Sequence, residues 1–380
     1  MLKPIFDPEV WQRVPFHFWS VVFFVFGSMV GSFLNVCIHR LPLGQSIVRP
    51  PSHCPHCKYS IPWYLNIPLI TWLFLRGRCR NCGAQISIRY YLVELLTAVA
   101  FLGCWFVFGR QSVALALIYS MFLAGLIAAT FIDFEHFIIP DEITIGGIIV
   151  GFLCSFLFPV LHGSNAIIFS LRQSLLGIGL GAGIIYAILR LGKLFFGRQR
   201  VTLPVDTKII FSETAVLFED KEIPYEDIFY RQSDVITLRA RTIELVDRCY
   251  KDVQVRLSPS SLQIGDEVIN PEEVPHMEAV SEEIVLPREA MGLGDVKFMA
   301  AIGAFLGPKA VLFSLMISSV IGSIVGLGLI VLQKRAWSSR LPYGPYIAVA
   351  AAICVFWGKE ISELWDWWFS ARLGSAGPLH

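Results

Sequence analysis

Apolar runs long enough to cross a bilayer recur along this chain, and no other feature constrains its folding as strongly. A helix needs about 20 apolar residues to traverse a hydrocarbon core about 30 Å thick. Runs of this kind are read at about 17–38, 91–109, 112–132, 143–161, 173–195, 297–307, 309–333 and 343–368. The sixth is short for a full crossing, so it starts deeper in the membrane or is completed by its flanks. With 55% hydrophobic residues, 16% charged residues and a mean hydropathy of +0.61, the fold class expected is an all-α polytopic membrane protein of about eight transmembrane helices. No small-residue cleavage site follows the first run, so it is read as a retained helix.

Lysine and arginine orient these runs. Arg40, Arg49, Lys58, Arg76, Arg78, Arg80 and Arg89 crowd the first loop, Arg190, Lys193, Arg198 and Arg200 follow the fifth run, and Lys334, Arg335 and Arg340 occupy the last loop. Such loops stay in the cytoplasm. The alternate loops carry isolated cations such as Arg110, Arg172 and Lys309, in agreement with an outside N-terminus. The net charge of +1 says little.

Two aspartates stand at the ends of apolar runs, Asp133 in Phe131-Ile132-Asp133-Phe134-Glu135-His136 and Asp295 in Gly292-Leu293-Gly294-Asp295-Val296-Lys297. A carboxylate at membrane depth is costly and ordinarily faces a partner or a water-filled cavity. If the two meet, one holds a proton while the other activates water, the division of labour of aspartyl proteolysis. The alternative is that each merely caps or flanks a helix at the interface. Under the topology above, both fall at the cytoplasmic face.

Cys54-Pro55-His56-Cys57 and Cys79-Arg80-Asn81-Cys82-Gly83 form paired C-x2-C knuckles, which bring four thiolates within reach of one tetrahedral zinc. Disulfide or thiol-exchange chemistry competes, but a reducing cytoplasmic loop disfavours it. His53 and His56 read as surface residues, and the scattered Cys37, Cys104, Cys154, Cys249 and Cys354 as small buried hydrophobes.

Gly31-Ser32-Phe33-Leu34-Asn35 through His39-Arg40-Leu41-Pro42, both C-x2-C pairs, Trp63-Tyr64 with Asn66-Ile67-Pro68-Leu69, Arg89-Tyr90-Tyr91 through Glu94, Asp133 with Ile139-Pro140-Asp141, and Gly292-Leu293-Gly294-Asp295 together resemble the type IV prepilin peptidases. The resemblance covers about residues 20–195 and 286–358. It implies Asp133 and Asp295 as the catalytic pair. It also implies removal of the leader peptide from type IV prepilins or type II secretion pseudopilins at the cytoplasmic side of the bacterial inner membrane, with N-methylation of the new terminus from S-adenosylmethionine. Asp141 also suits the N-cap of the following span. Gly292 and Gly294 permit close approach of an extended substrate to Asp295, and Lys297 either holds a carboxylate charged or snorkels to the interface. Glu94 is either a substrate or methylation-site contact or an interfacial partner of Arg89. Gly177, Gly179, Gly181 and Gly183 follow no strand and read as helix-packing positions. Leu65 stands where family members often carry a polar residue.

Between Gly197 and Glu289 the chain turns polar and acidic. Residues 211–228 align without gaps to 257–274, each copy reading strand, acidic turn, strand and acidic corner, while Val235 to Leu245 alternates like a further strand. A small, duplicated, β-rich cytoplasmic insertion is expected, suited to binding pilus or secretion assembly proteins. The chain thus divides into 1–38 with the first helix, a cytoplasmic zinc loop at 39–90, membrane helices at 91–196, the insertion at 197–289, membrane helices at 290–370 and a polar tail at 371–380. Partners expected are prepilins and membrane lipid, and no nucleic acid. Rival readings are a proton-coupled transporter, against which stand the zinc loop and the lack of an inverted repeat in hydropathy, and a non-enzymatic secretion scaffold.

Overall fold

Serine caps and proline punctuation decide where the apolar runs become helix in the computed structural model, which describes residues 11, 13–196, 198–218, 221–229, 234–245, 248–287, 292–332 and 341–373. Lys334, Arg335 and Arg340, used above for orientation, lie outside the described residues, as do 374–380 of the tail. The helices are α1 (Phe16–Arg40), α2 (Ile70–Phe74), α3 (Ile88–Phe108), α4 (Val113–His136), α5 (Asp141–Leu157), α6 (Ile167–Phe196), α7 (Tyr225–Ile228), α8 (Leu293–Val331) and α9 (Gly344–Leu373). By length and apolarity, α1, α3, α4, α6 and α8 are able to cross a membrane; α5, with 17 residues, is shorter. α3 begins three residues before the expected boundary because Ser87 Oγ accepts from the Arg89 N–H at 3.2 Å, and Ser112 caps α4 through the Leu115 N–H at 3.3 Å. The sixth and seventh runs are two helical segments that meet at a sharp kink, labelled together as α8. Gly307 sits at φ 79°, ψ 179°, and Pro308 has no N–H to give the Ala304 carbonyl. That carbonyl instead accepts from Ser174 Oγ at 3.0 Å and Ser155 Oγ at 3.3 Å.

The chain divides into two compact units, one of Met1–Ile185 with Leu293–His380 and one of Tyr186–Gly292. In the first, α1, α3 and α4 bury Phe23, Ile38, Phe101, Trp105 and Ile132 between them. α6 meets α8 backbone to backbone. Gly177 lies against Gly303, and a Cβ on Gly181 would stand 2.6 Å from the Met299 carbonyl oxygen, whereas Gly179 has open space. Small residues spaced by a turn let membrane helices approach this closely.

The second unit holds an antiparallel sheet of β1 (Arg198–Thr202), β2 (Lys208–Phe211), β3 (Ala215–Phe218), β4 (Lys221–Pro224), β5 (Ile236–Glu244), β6 (Cys249–Ser258), β7 (Ser261–Ile264), β8 (Glu267–Ile269), β9 (Met277–Val280) and β10 (Glu283–Pro287). Its order is β4-β3-β2-β9-β5-β6-β7-β8, and β10 pairs with both β1 and β5. Alternation along these strands buries Ile209, Val216, Ile236, Ile243, Val255 and Ile264 in one core. The aligned segments fold alike. Phe211 pairs with Val216 and Leu217 with Glu222, as Leu257 pairs with Leu262 and Gln263 with Val268. Ser212 Oγ closes its turn by accepting from the Ala215 N–H at 3.0 Å, and Ser258 Oγ does the same with Ser261 at 3.0 Å. The first and last strands, β1 and β10, run side by side from Arg198 opposite Pro287 to Thr202 opposite Glu283.

Candidate active site

The segment between α4 and α5 positions the first aspartate. α4 ends where Phe137 adopts a left-handed conformation, φ 55°, and its N–H returns to the Asp133 carbonyl at 3.0 Å. Asp133 is therefore in the last turn, 5% exposed, with its carboxylate turned toward the start of α9. There the Gly344 N–H donates to Asp133 Oδ2 at 2.9 Å. A Cβ on Gly344 would stand 2.6 Å from that oxygen and 3.1 Å from Ile139 Cδ1. Gly344, in Pro342-Tyr343-Gly344-Pro345, was not identified from the sequence, although a glycine between prolines at the start of an apolar run is a readable signal of a tight helix start.

Ile139, 8% exposed, also faces the second aspartate's helix. A Cβ on Gly294 would stand 3.5 Å from the Ile139 Cβ, and Asp295 follows in the first turn of α8, partly exposed. Three helix N-termini, those of α5, α8 and α9, thus meet around Ile139-Pro140, with Asp133 and Asp295 carried by the surrounding elements. The contacts of Gly294 are ordinary, so no neighbour among the described residues demands glycine there. Gly292 is exposed and is the last residue of the second unit.

Two expectations for neighbouring charges are corrected. Asp141 is not the N-cap of α5; Pro140 occupies the cap with its fixed φ of −59°, which makes Asp141 the first helical residue. Its carboxylate instead meets Lys297, Nζ to Oδ1 at 2.6 Å. Glu94 does not pair with Arg89, whose guanidinium reaches Glu135. Glu94 is 9% exposed and accepts from the Leu69 N–H at 2.7 Å, so it ties the Trp63–Leu69 loop to the second turn of α3. Nearby, Asn35 donates to the Tyr90 carbonyl at 3.0 Å and the Trp72 ring lies tilted against Tyr91, centroids 5.2 Å apart. Asn35 Oδ1, Trp72 Nε1 and Arg89 Nε are buried with no partner among the described residues. They leave one acceptor near the end of α1 and two donors, on α2 and at the start of α3, without a hydrogen bond among the described residues.

The four knuckle cysteines come together. A zinc tetrahedron with Zn–S bonds of about 2.3 Å has edges of about 3.8 Å. Cys54 and Cys82 are 3.8 Å apart, Cys57 and Cys79 4.0 Å, and all four sulfurs lie within 4.8 Å of one another. The two knuckles turn alike, Lys58 N–H to Cys54 carbonyl and Gly83 N–H to Cys79 carbonyl, both at 2.9 Å, with φ of 57° and 71°. The Asn81 amide beside Cys57 draws that thiol down to about 6, and the backbone N–H groups of Cys82 and Asn81 lower Cys79. Cys82 is pushed the other way, up to about 11, where the backbone hydrogen bond at Ala84, which lowers it, is outweighed by burial and the three neighbouring thiols. It is the near-tetrahedral spacing of the four sulfurs that fits a metal ion.

Comparison with known proteins follows the same landmarks. Residues 25–108 match the bacterial peptidase A24 N-terminal domain, and residues 120–199 and 279–327 match the type IV leader peptidase family. A prepilin leader peptidase/N-methyltransferase of Dichelobacter nodosus is 36% identical over 208 residues, covering 47% of this chain and 69% of that protein. The chain belongs to the type IV leader peptidase family. The enzyme of the same name from Aeromonas hydrophila is 28% identical over 383 residues, covering 93% of this chain and 96% of its own length. One from Myxococcus xanthus is 45% identical over 163 residues, covering 43% of this chain and 45% of its own. No solved structure matches. The interruption in the match to this peptidase family, between 199 and 279, falls within the β-sheet unit.

Proposed function

We propose that this peptidase uses Asp133 and Asp295 as its catalytic pair, cutting the leader peptide from type IV prepilins or type II secretion pseudopilins and N-methylating the new N-terminus. The observation that carries the assignment is the meeting of three helix N-termini around Ile139-Pro140, with Asp133 held by the Gly344 N–H beside it. One carboxylate takes a proton from a water molecule as its oxygen attacks the scissile carbonyl. The other donates a proton, which ends on the leaving amine as the C–N bond breaks. Glycines on either side of Leu293 leave room for an extended substrate beside Asp295.

Four cysteine thiolates, Cys54, Cys57, Cys79 and Cys82, hold one zinc. The role is structural, because four protein ligands leave no open position for water. Methyl transfer draws on S-adenosylmethionine, and the unpartnered atoms of Asn35, Trp72 and Arg89 are the groups available to bind it. Eight membrane crossings, with α8 supplying two across its break at Gly307 and the N-terminus outside, put the basic loops and both aspartates at the cytoplasmic face of the inner membrane. The β unit binds pilus or secretion assembly proteins.

Incubating the purified chain in detergent with a prepilin, and reading leader removal and terminal methylation by mass spectrometry, tests the reading. Leader removal by wild type, and a loss of about 10²- to 10⁴-fold in Asp133→Asn or Asp295→Asn, is expected. A transporter or a scaffold would leave the prepilin intact in every case.

A further inference from the structure

Six large apolar side chains project from one short cytoplasmic-loop segment that the peptidase chemistry does not use. Trp63 is 82% exposed, Phe74 80%, Ile70 66%, Leu73 55%, Tyr64 50% and Ile67 42%. Ile70, Leu73 and Phe74 share one face of α2 by their i, i+3, i+4 spacing. Trp72, on the opposite face, packs inward against Tyr91. The segment is not loosely attached. Glu94 holds the Leu69 N–H, and Trp72 meets Tyr91, so α2 lies beside the first two turns of α3, a helix long and apolar enough to cross the membrane. Arg76, Arg78 and Arg80 follow at once, all exposed and without an ion pair among the described residues.

An apolar patch of this size does not face water in a soluble surface. Its depth, at the mouth of a membrane helix, its Trp and Tyr at one end and its arginines at the other are the pattern of a segment lying in the headgroup layer. We propose that residues 63–80 form an interfacial anchor, with Trp63, Ile70, Leu73 and Phe74 inserted at the acyl boundary and Arg76, Arg78 and Arg80 on anionic phospholipid headgroups. Unlike a peptide groove, the apolar face is convex and carried by a single turn of helix, and the cations beside it match a negatively charged leaflet. The anchor sets the height of the four-cysteine site relative to the membrane surface, because it links the Cys54–Cys57 knuckle to the Cys79–Cys82 knuckle. This inference does not depend on the assignment of the catalytic aspartates.

The test places the photoreactive residue p-benzoylphenylalanine at Phe74 in the full chain, where it keeps an aromatic ring at a largely exposed position. Leader cleavage by the labelled protein verifies its fold. After reconstitution in vesicles of phosphatidylcholine, with or without phosphatidylglycerol, irradiation should yield phospholipid adducts that persist when prepilin saturates the enzyme. The triple variant Arg76→Gln/Arg78→Gln/Arg80→Gln should lose its preference for phosphatidylglycerol, on the order of fivefold per arginine. Adducts to prepilin, to a second copy or to the chain itself in place of lipid, or no adduct at all, would overturn the proposal. So would a preference for phosphatidylglycerol unchanged in the triple variant.

Discussion

Asparagine at position 133 or 295 keeps the shape of the side chain and removes its ability to exchange a proton. Each substitution should lower cleavage by about 10²- to 10⁴-fold with the fold intact, and the double variant should be no worse than either single one, since the pair acts as a unit. Mass-spectrometric turnover assays alongside thermal melts check this. Asp141→Asn breaks only a half-exposed ion pair with Lys297, worth at most about 1 kcal/mol, and should retain turnover. Gly344→Ala is the sharper test of geometry. Its Cβ would arrive 2.6 Å from Asp133 Oδ2, so the carboxylate must swing away, and kcat should fall about 10²-fold with little change in KM or in thermal midpoint. Full activity in Gly344→Ala would show that the hydrogen bond to Asp133 is incidental. Asp133 and Asp295 stood out in the sequence as candidates because charge at membrane depth is rare. Gly344 and the Leu69 partner of Glu94 did not, because each depends on a contact between segments far apart in the chain: Gly344 with Asp133, Leu69 with Glu94.

Helix against helix, the paired glycines of α6 offer an internal control. Gly177→Leu and Gly181→Leu push side chains into the backbone of α8 and should each destabilise the protein by about 1–3 kcal/mol, while Gly179→Leu, which meets open space, should be neutral. Thermal unfolding in one detergent orders the three, and equal losses in all of them would contradict the packing. In the four-cysteine loop, metal analysis should find one zinc per chain, and Cys54→Ser should lose most of it, since a three-thiolate site gives up one of its bonds. Periodicity and spacing made these elements readable, down to the small-residue helix face and the turn glycine at Gly83. What braces the break inside α8 was not readable in this way. A Gly-Pro pair ordinarily ends a helix, and only the hydroxyls of Ser155 and Ser174, contributed by other helices, satisfy the Ala304 carbonyl that Pro308 leaves free.

At the scale of the whole molecule, the β unit owns its core and should fold by itself: residues 198–287 expressed alone should unfold in one cooperative transition by circular dichroism. Replacing Val201 to Val285 by a short Gly/Ser linker should retain cleavage of a detergent-solubilised prepilin, because loop closure depends only weakly on length. Complete loss of turnover at saturating substrate in a folded deletion variant would instead place the unit within the catalytic machinery. Its internal repeat was visible in the sequence, but the joining of its two ends was not, because β1 and β10 form their ladder across the entire insertion. That ladder also imposes a timetable. β1 leaves the ribosome first of the ten strands and its partner last, so at about 5–20 residues per second the earliest strand waits roughly 4–18 s for the one that completes it. The hairpins from β2 to β4 and from β5 to β8 have their partners to hand meanwhile. The sheet closes only as the Gly-Leu-Gly-Asp helix starts to be made, and an interruption of synthesis before Glu283 would leave β1 with neither edge paired.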